Sequence, residues 1–250
     1  MTTTAPASAT FLSMLKLRTA EVHEKYQTYD PPHMAAFGAE LRDIGPALQC
    51  LAMAINHLSI KSHTAYPVHG ALVQMLVETY MHVVVSGKQA EEVPAVFQAV
   101  HEHDIMRLDE PRKGYNGEQM WNIRLGQQTD GGGIRNRPSV LLSVSAYIAQ
   151  TYSTNYAPEH MMQVYREYCD LNESIQNVAA CVRLIHDRTN DVEPVEPPVT
   201  DAIAKVLNGL EGAASQAANL MPAFRRYHAA DLRKHEAPRK GYNGEARWDV

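Results

Sequence analysis

The 250-residue chain predicts an all-α fold, and three observations carry that expectation. Apolar residues recur at helical spacing along most of it, alternating strand patterns are absent, and helix start signals stand where the periodic stretches begin. Hydrophobic residues at 45% and charged residues at 20% complete an ordinary globular composition, which excludes a wholly disordered or collagen-like chain. The formal net charge of -5 excludes a globally basic nucleic-acid binder, though not a local basic patch.

The first twenty residues, MTTTAPASATFLSMLKLRTA, hold no acid and several Ser and Thr. That composition is shared by organellar transit peptides. An uncleaved targeting segment and a plain ordered arm over residues 1–33 are both open readings. Ile44 to Ile60 follows as a charge-free apolar run of 17 residues, interrupted by Gln49, Asn56 and His57. It is too short and too polar to span a bilayer and reads as a buried core helix, so no transmembrane segment is expected. Val93, Val96, Phe97 and Val100 share one helix face. So do Leu141, Val144, Ile148 and Tyr152; Met161, Val164, Tyr165 and Tyr168; Ile175, Val178, Ala179 and Val182; and Ile203, Val206, Leu207 and Leu210. Pro94 and Pro158 lie near first turns, and Thr200 is placed to cap the helix after it.

Breaks are expected at Asp30-Pro31-Pro32, Ile44-Gly45-Pro46, Lys61 to Val68, Ser86-Gly87, Pro111 to Pro138, Ser153 to Ala157 and Asn190 to Val199. They divide the chain into an arm (1–33), a helical-repeat body (34–190) with an inserted loop at 106–138, an acidic proline linker (191–199) and C-terminal helices (200–250).

PRKGYNGE occurs at Pro111 to Glu118 and again, unchanged, at Pro238 to Glu245, a spacing of 127. The match extends outwards through Phe97 with Phe224, His101 with His228, Asp104 with Asp231, Arg107 with Lys234, and Trp121 with Trp248. Both tryptophans of the protein belong to this unit. Pro and Gly exclude regular helix, while Arg, Lys, Tyr and Trp supply charge and contact area. The candidate partner-binding residues are therefore Arg112, Lys113, Tyr115, Asn116 and Trp121, with Arg239, Lys240, Tyr242, Asn243 and Trp248. Docking on other protein subunits and capping of the chain's own helices are balanced readings. RNA contact through Arg112, Lys113 and Tyr115 is a third, disfavoured by net charge.

A looser repeat sets Gly70 to Asp104 beside Ser139 to Glu173, each a helix, a short turn and a second helix. The segments LVETYMHVVVSGKQAEEVPAVFQAV and LLSVSAYIAQTYSTNYAPEHMMQVYREY resemble pentatricopeptide-type helical repeats over about seventy residues. That resemblance implies antiparallel helical hairpins stacked as a short, interrupted α-solenoid with a C-terminal helical arm. It also implies an organellar setting. The family works most often on RNA, and also as a protein-binding scaffold in mitochondrial ribosomes and, in euglenozoans, ATP synthase.

Motifs for hydrolase, P-loop, dinucleotide and zincin chemistry are absent. In His101-Glu102-His103-Asp104 the two histidines point about 200° apart on a helix, so they do not share a metal, and a solvated helix end is expected. Asp130 to Arg137, with three successive glycines, reads as a surface loop in preference to a phosphate cradle. Three cysteines, Cys50, Cys169 and Cys181, lack metal-type spacing; the last two read as buried small hydrophobes. The expectation is a non-catalytic scaffold or accessory subunit of a large, mitochondrial assembly such as ATP synthase or a respiratory complex, without cofactor or metal. The alternative is an RNA-associated helical-repeat protein of organellar RNA processing or the mitochondrial ribosome; a cytoplasmic location is the fallback.

Overall fold

In a computed structural model of the chain, the structure describes residues 13–106, 120–121, 138–233 and 248. Their helices are α1 (Met14–Tyr26), α2 (Met34–Thr64), α3 (Gly70–Ala90), α4 (Val93–Val100), α5 (Glu102–Met106), α6 (Val140–Thr154), α7 (Met161–Asp191), α8 (Pro197–Ala218), α9 (Leu220–Tyr227) and α10 (Ala229–Arg233). No strand occurs among the described residues, and the fold is all-α. No helix there is long and apolar enough to cross a membrane.

The order of elements repeats. Adding 127 to the bounds of α2, α3, α4 and α5 gives α7, α8, α9 and α10, to within one residue at the end of α8. The relation survives in burial more than in identity. Phe37, Leu41, Ile44, Leu48, Leu51, Ile55 and Leu58 in α2 answer to Val164, Tyr168, Leu171, Ile175, Val178, Val182 and Ile185 in α7, and all fourteen are buried. First helices α1 and α6 follow the same rule at a spacing of 126: Ser13, Leu15, Val22 and Tyr26 match Ser139, Leu141, Ile148 and Tyr152. The corner after α6 carries the extra residue, and Tyr29, Pro31 and His33 regain step with Tyr156, Pro158 and His160.

The two halves interlock. Helix α1 packs on α7 of the other half, and α6 packs on α2; α3 and α8 also pack on each other, as do α1 and α6. Such pairing defines a pseudo-twofold axis and one continuous core. Two backbone bonds pin the exchange. Ser13 N–H donates to Asp170 Oδ2 at 3.0 Å, and Ser139 N–H donates to Asp43 Oδ2 at 2.7 Å. Each serine also caps its own helix: Ser13 Oγ accepts from Lys16 N–H and Ser139 Oγ from Leu142 N–H. A carboxylate from one half thus satisfies the N-terminus of the other half's first helix.

Several sequence expectations need correction. Successive helices do pair, α2 with α3 and α7 with α8, but α1 and α6 each pack on the other half, and the counterpart of Gly70 to Asp104 is Pro197 to Asp231, not Ser139 to Glu173. Within the 1–33 arm, helix α1 is packed, with Leu15, Val22 and Tyr26 buried and the helix set against α7. Acidic Asp191 to Pro198 is a tight corner in which Arg188 binds Glu193 and Asp30, and α8 beyond it packs on both α3 and α7. Helix α8 starts at Pro197, so Thr200 lies inside it and donates to Thr189 Oγ1.

Gly45-Pro46 does not interrupt α2, nor Ser86-Gly87 α3. In both places tertiary packing overrides local propensity. A Cβ on Gly45 would stand 3.3 Å from Glu91 Cγ, and one on Gly87 3.5 Å from Leu48 Cβ, so these glycines let α2 and α3 approach. Across the axis Gly209 of α8 faces Ser86, where a Cβ would lie 2.4 Å from Ser86 Oγ.

Candidate functional site

Each half ends in a cluster built from the residues that the octapeptide repeat had singled out. Helix α4 offers Phe97 one turn before His101, and Trp121 closes over both, its ring centroid 5.9 Å from Phe97 and 4.9 Å from His101. In the second half α9 offers Phe224 and His228, and Trp248 lies 6.5 Å and 5.4 Å from them. Both tryptophans are only 3% exposed. Docking on a partner and capping of the chain's own helices stood level in the sequence; each tryptophan is packed against the aromatic rings of its own chain, beside α4 or α9, where its large apolar area is removed from water.

His101 is not part of a solvated helix end; it is buried, and so is His228. The imidazoles are wired alike. His101 Nε2 accepts the backbone N–H of Glu196 at 3.2 Å, and His228 Nε2 accepts that of His69 at 3.1 Å. Glu196 and His69 are equivalent residues, each standing just before the shared helix of its half, α8 or α3. With Nε2 an acceptor, the proton sits on Nδ1, which faces Asp104 at 3.4 Å in one half and Asp231 at 3.2 Å in the other. Burial lowers the pKa of His228 below the ordinary histidine value, in keeping with that neutral form. Each cluster thereby ties the α4 or α9 end of one half to the first turn of the opposite half's axial helix.

Four carboxylates that the sequence reading passed over occupy the other end of the interlock. Asp43 and Asp170 hold the first helices as described. One turn before them, Glu40 Oε2 accepts from Tyr26 OH at 2.6 Å, and Glu167 accepts from Tyr152 OH. Glu167 also accepts a backbone hydrogen bond from Met14, and burial pushes its pKa up to about 7. Burial raises Glu40 as well. The signal for them was the run Met34, Glu40, Asp43 repeated as Met161, Glu167, Asp170.

Arg112, Lys113, Tyr115 and Asn116, with Arg239, Lys240, Tyr242 and Asn243, lie outside the described residues, as does Asp130 to Arg137. Cys181 is buried, with its thiol pushed up to about 12, while Cys50 and Cys169 are half-buried and also raised by burial. Among the described residues no group of three or more His, Cys, Asp or Glu side chains is placed to hold a metal ion.

Comparison with family models, with curated proteins and with solved structures finds no match to this chain. Fold and clusters together define an all-α protein made of two interlocked copies of one helical unit. In each copy a buried tryptophan follows the same octapeptide.

Proposed function

We propose that the chain is a non-catalytic scaffold or accessory subunit of a large mitochondrial assembly, which it joins through the two PRKGYNGE segments. One observation carries this reading. Across the 31 residues of α2 and α7, only Met34, Glu40, Asp43, Gln49 and Ala52 recur, as Met161, Glu167, Asp170, Gln176 and Ala179. The halves have drifted almost everywhere that packing alone sets the residue, since a core keeps volume and pattern more strictly than identity. Against that drift all of Pro111 to Glu118 is retained in Pro238 to Glu245. A segment that bound two copies of the same surface would be held to one sequence in this way. Arg and Tyr are the side chains that most often carry interface energy, and two identical elements on one chain raise the effective concentration of the second contact. The tryptophans fasten each segment to the body.

Replacing Arg112 and Lys113, or Arg239 and Lys240, with Ala and following co-purification from the native source tests the reading. Each pair should weaken partner retention, and both together should abolish it, with an unchanged helical circular dichroism spectrum. Full retention by the fourfold variant refutes docking through these segments. Loss of every partner on nuclease digestion of the wild-type complex would replace protein contacts by RNA.

A further inference from the structure

At one pair of equivalent positions the two halves differ sharply in bulk, and a cavity lies beside the smaller residue. In the second half Tyr165 of α7 lays its ring against Phe224, centroids 4.9 Å apart, and its hydroxyl accepts from Arg225 Nε at 2.6 Å. Its equivalent in α2 is Gly38, and the equivalent of Arg225 is Gln98. With no side chain at 38, Phe97 leans in until a Cβ there would stand 2.8 Å from its Cε1. The space is not fully taken up. Beside Gly38 opens a cavity of about 310 Å³ lined by Met34, Arg42, Pro94, Phe97 and Trp121, with Gln98 at its mouth.

We infer that this cavity binds a phenol ring, presented by a tyrosine of a partner protein, beside the position whose counterpart in the other half carries Tyr165. The lining mixes the apolar and aromatic faces of Met34, Pro94, Phe97 and Trp121 with the polar heads of Arg42 and Gln98, which suits an amphipathic ring with one hydroxyl, and the volume lies at the low end of the ~300–1,000 Å³ usual for small-molecule sites, enough for one side chain. Phe97 and Trp121 provide ring faces. Gln98, the counterpart of Arg225, is on the cavity lining and offers both donor and acceptor. The inference rests on the scaffold reading for the identity of the partner, but its test reads Trp121 and cavity-filling variants and leaves Arg112, Lys113, Arg239 and Lys240 unchanged, so either can fail alone.

The test uses the full chain with Trp248→Phe, which leaves Trp121 as the one tryptophan. Titration with N-acetyl-tyrosinamide should give a saturable change in Trp121 fluorescence, and N-acetyl-leucinamide should bind at least tenfold more weakly. Gly38→Tyr rebuilds the filled arrangement and should remove the response. Because that variant must displace Phe97, Ala39→Phe, which fills the cavity from a half-buried position on its wall, is the second block. No saturable response in the Trp248→Phe protein, equal binding of the leucine analogue, or an unchanged response in a folded Ala39→Phe chain each overturns the inference.

Discussion

Glu167 offers the sharpest quantitative test of the interlocked core. Its carboxyl is buried beside Tyr152 and the start of α1, and its pKa rises from an ordinary 4.5 to about 7. The folded state therefore keeps a proton that the unfolded chain releases. Between those two values the unfolded state binds fewer protons, so stability falls as pH rises from about 4.5 to about 7 and is level beyond. At ~1.4 kcal/mol per unit, the full cost is about 3 kcal/mol, most of it incurred between roughly pH 5 and 8. Glu167→Gln retains an oxygen for the Tyr152 hydroxyl and carries no charge at any pH. Its melting temperature relative to wild type should climb by roughly 5–10 °C over that interval, at ~2–4 °C per kcal/mol for a chain of this size. Thermal melts of both proteins at half-unit pH steps supply the measurement. A difference that stays constant with pH would show that Glu167 ionises freely in the folded state and that the packing around it is looser than described.

His228 should act with the opposite sign. Its folded pKa is lowered, so the stability it contributes is present above about 6.5, the unfolded value, and is lost as pH falls below it. His228→Gln should flatten that acid limb in the same melts, and an unaltered limb would acquit the residue. Gly209→Val places a branched side chain where even a Cβ meets Ser86 Oγ at 2.4 Å, and should lower stability by about 1–3 kcal/mol in denaturant titrations, whereas Gly212→Ala, whose Cβ would lie 3.8 Å from His82, should raise it by up to about 1 kcal/mol through helix propensity. Separately expressed halves divided in the segment 122–137 should lack cooperative melting as monomers, because α1 and α2 leave their partners α7 and α6 behind, and should regain it when mixed. A monomeric first half that melts cooperatively would contradict the exchange.

Helical periodicity was plain in residues such as Val93, Val96, Phe97 and Val100, because an amphipathic face is a local property. The duplication was legible only where identity survived, at Phe97, His101, Asp104, the octapeptide and Trp121. In α2 and α7 the halves share buried positions more than residues, and which positions are buried is decided by neighbours far along the chain. For the same reason Gly45-Pro46 and Ser86-Gly87 read as stops. Small or helix-breaking residues carry one meaning in an isolated peptide and another at a close helix crossing. His101 and His228 stood out in the sequence, yet their acceptor bonds come from Glu196 and His69, 95 and 159 residues away. No spacing rule reaches that far. The burial of Trp121 and Trp248 was equally hidden, since a tryptophan beside a basic turn suits an interface as well as a core.

A symmetric homodimer must accept every mutation twice, once in each subunit. Here the same geometry is written along a single polypeptide, so a change such as glycine opposite tyrosine at Gly38 and Tyr165 is confined to one side. The molecule can keep a matched pair of octapeptides while its two flanks diverge separately, and the ratio of the two flanks is fixed at one to one by the peptide bond.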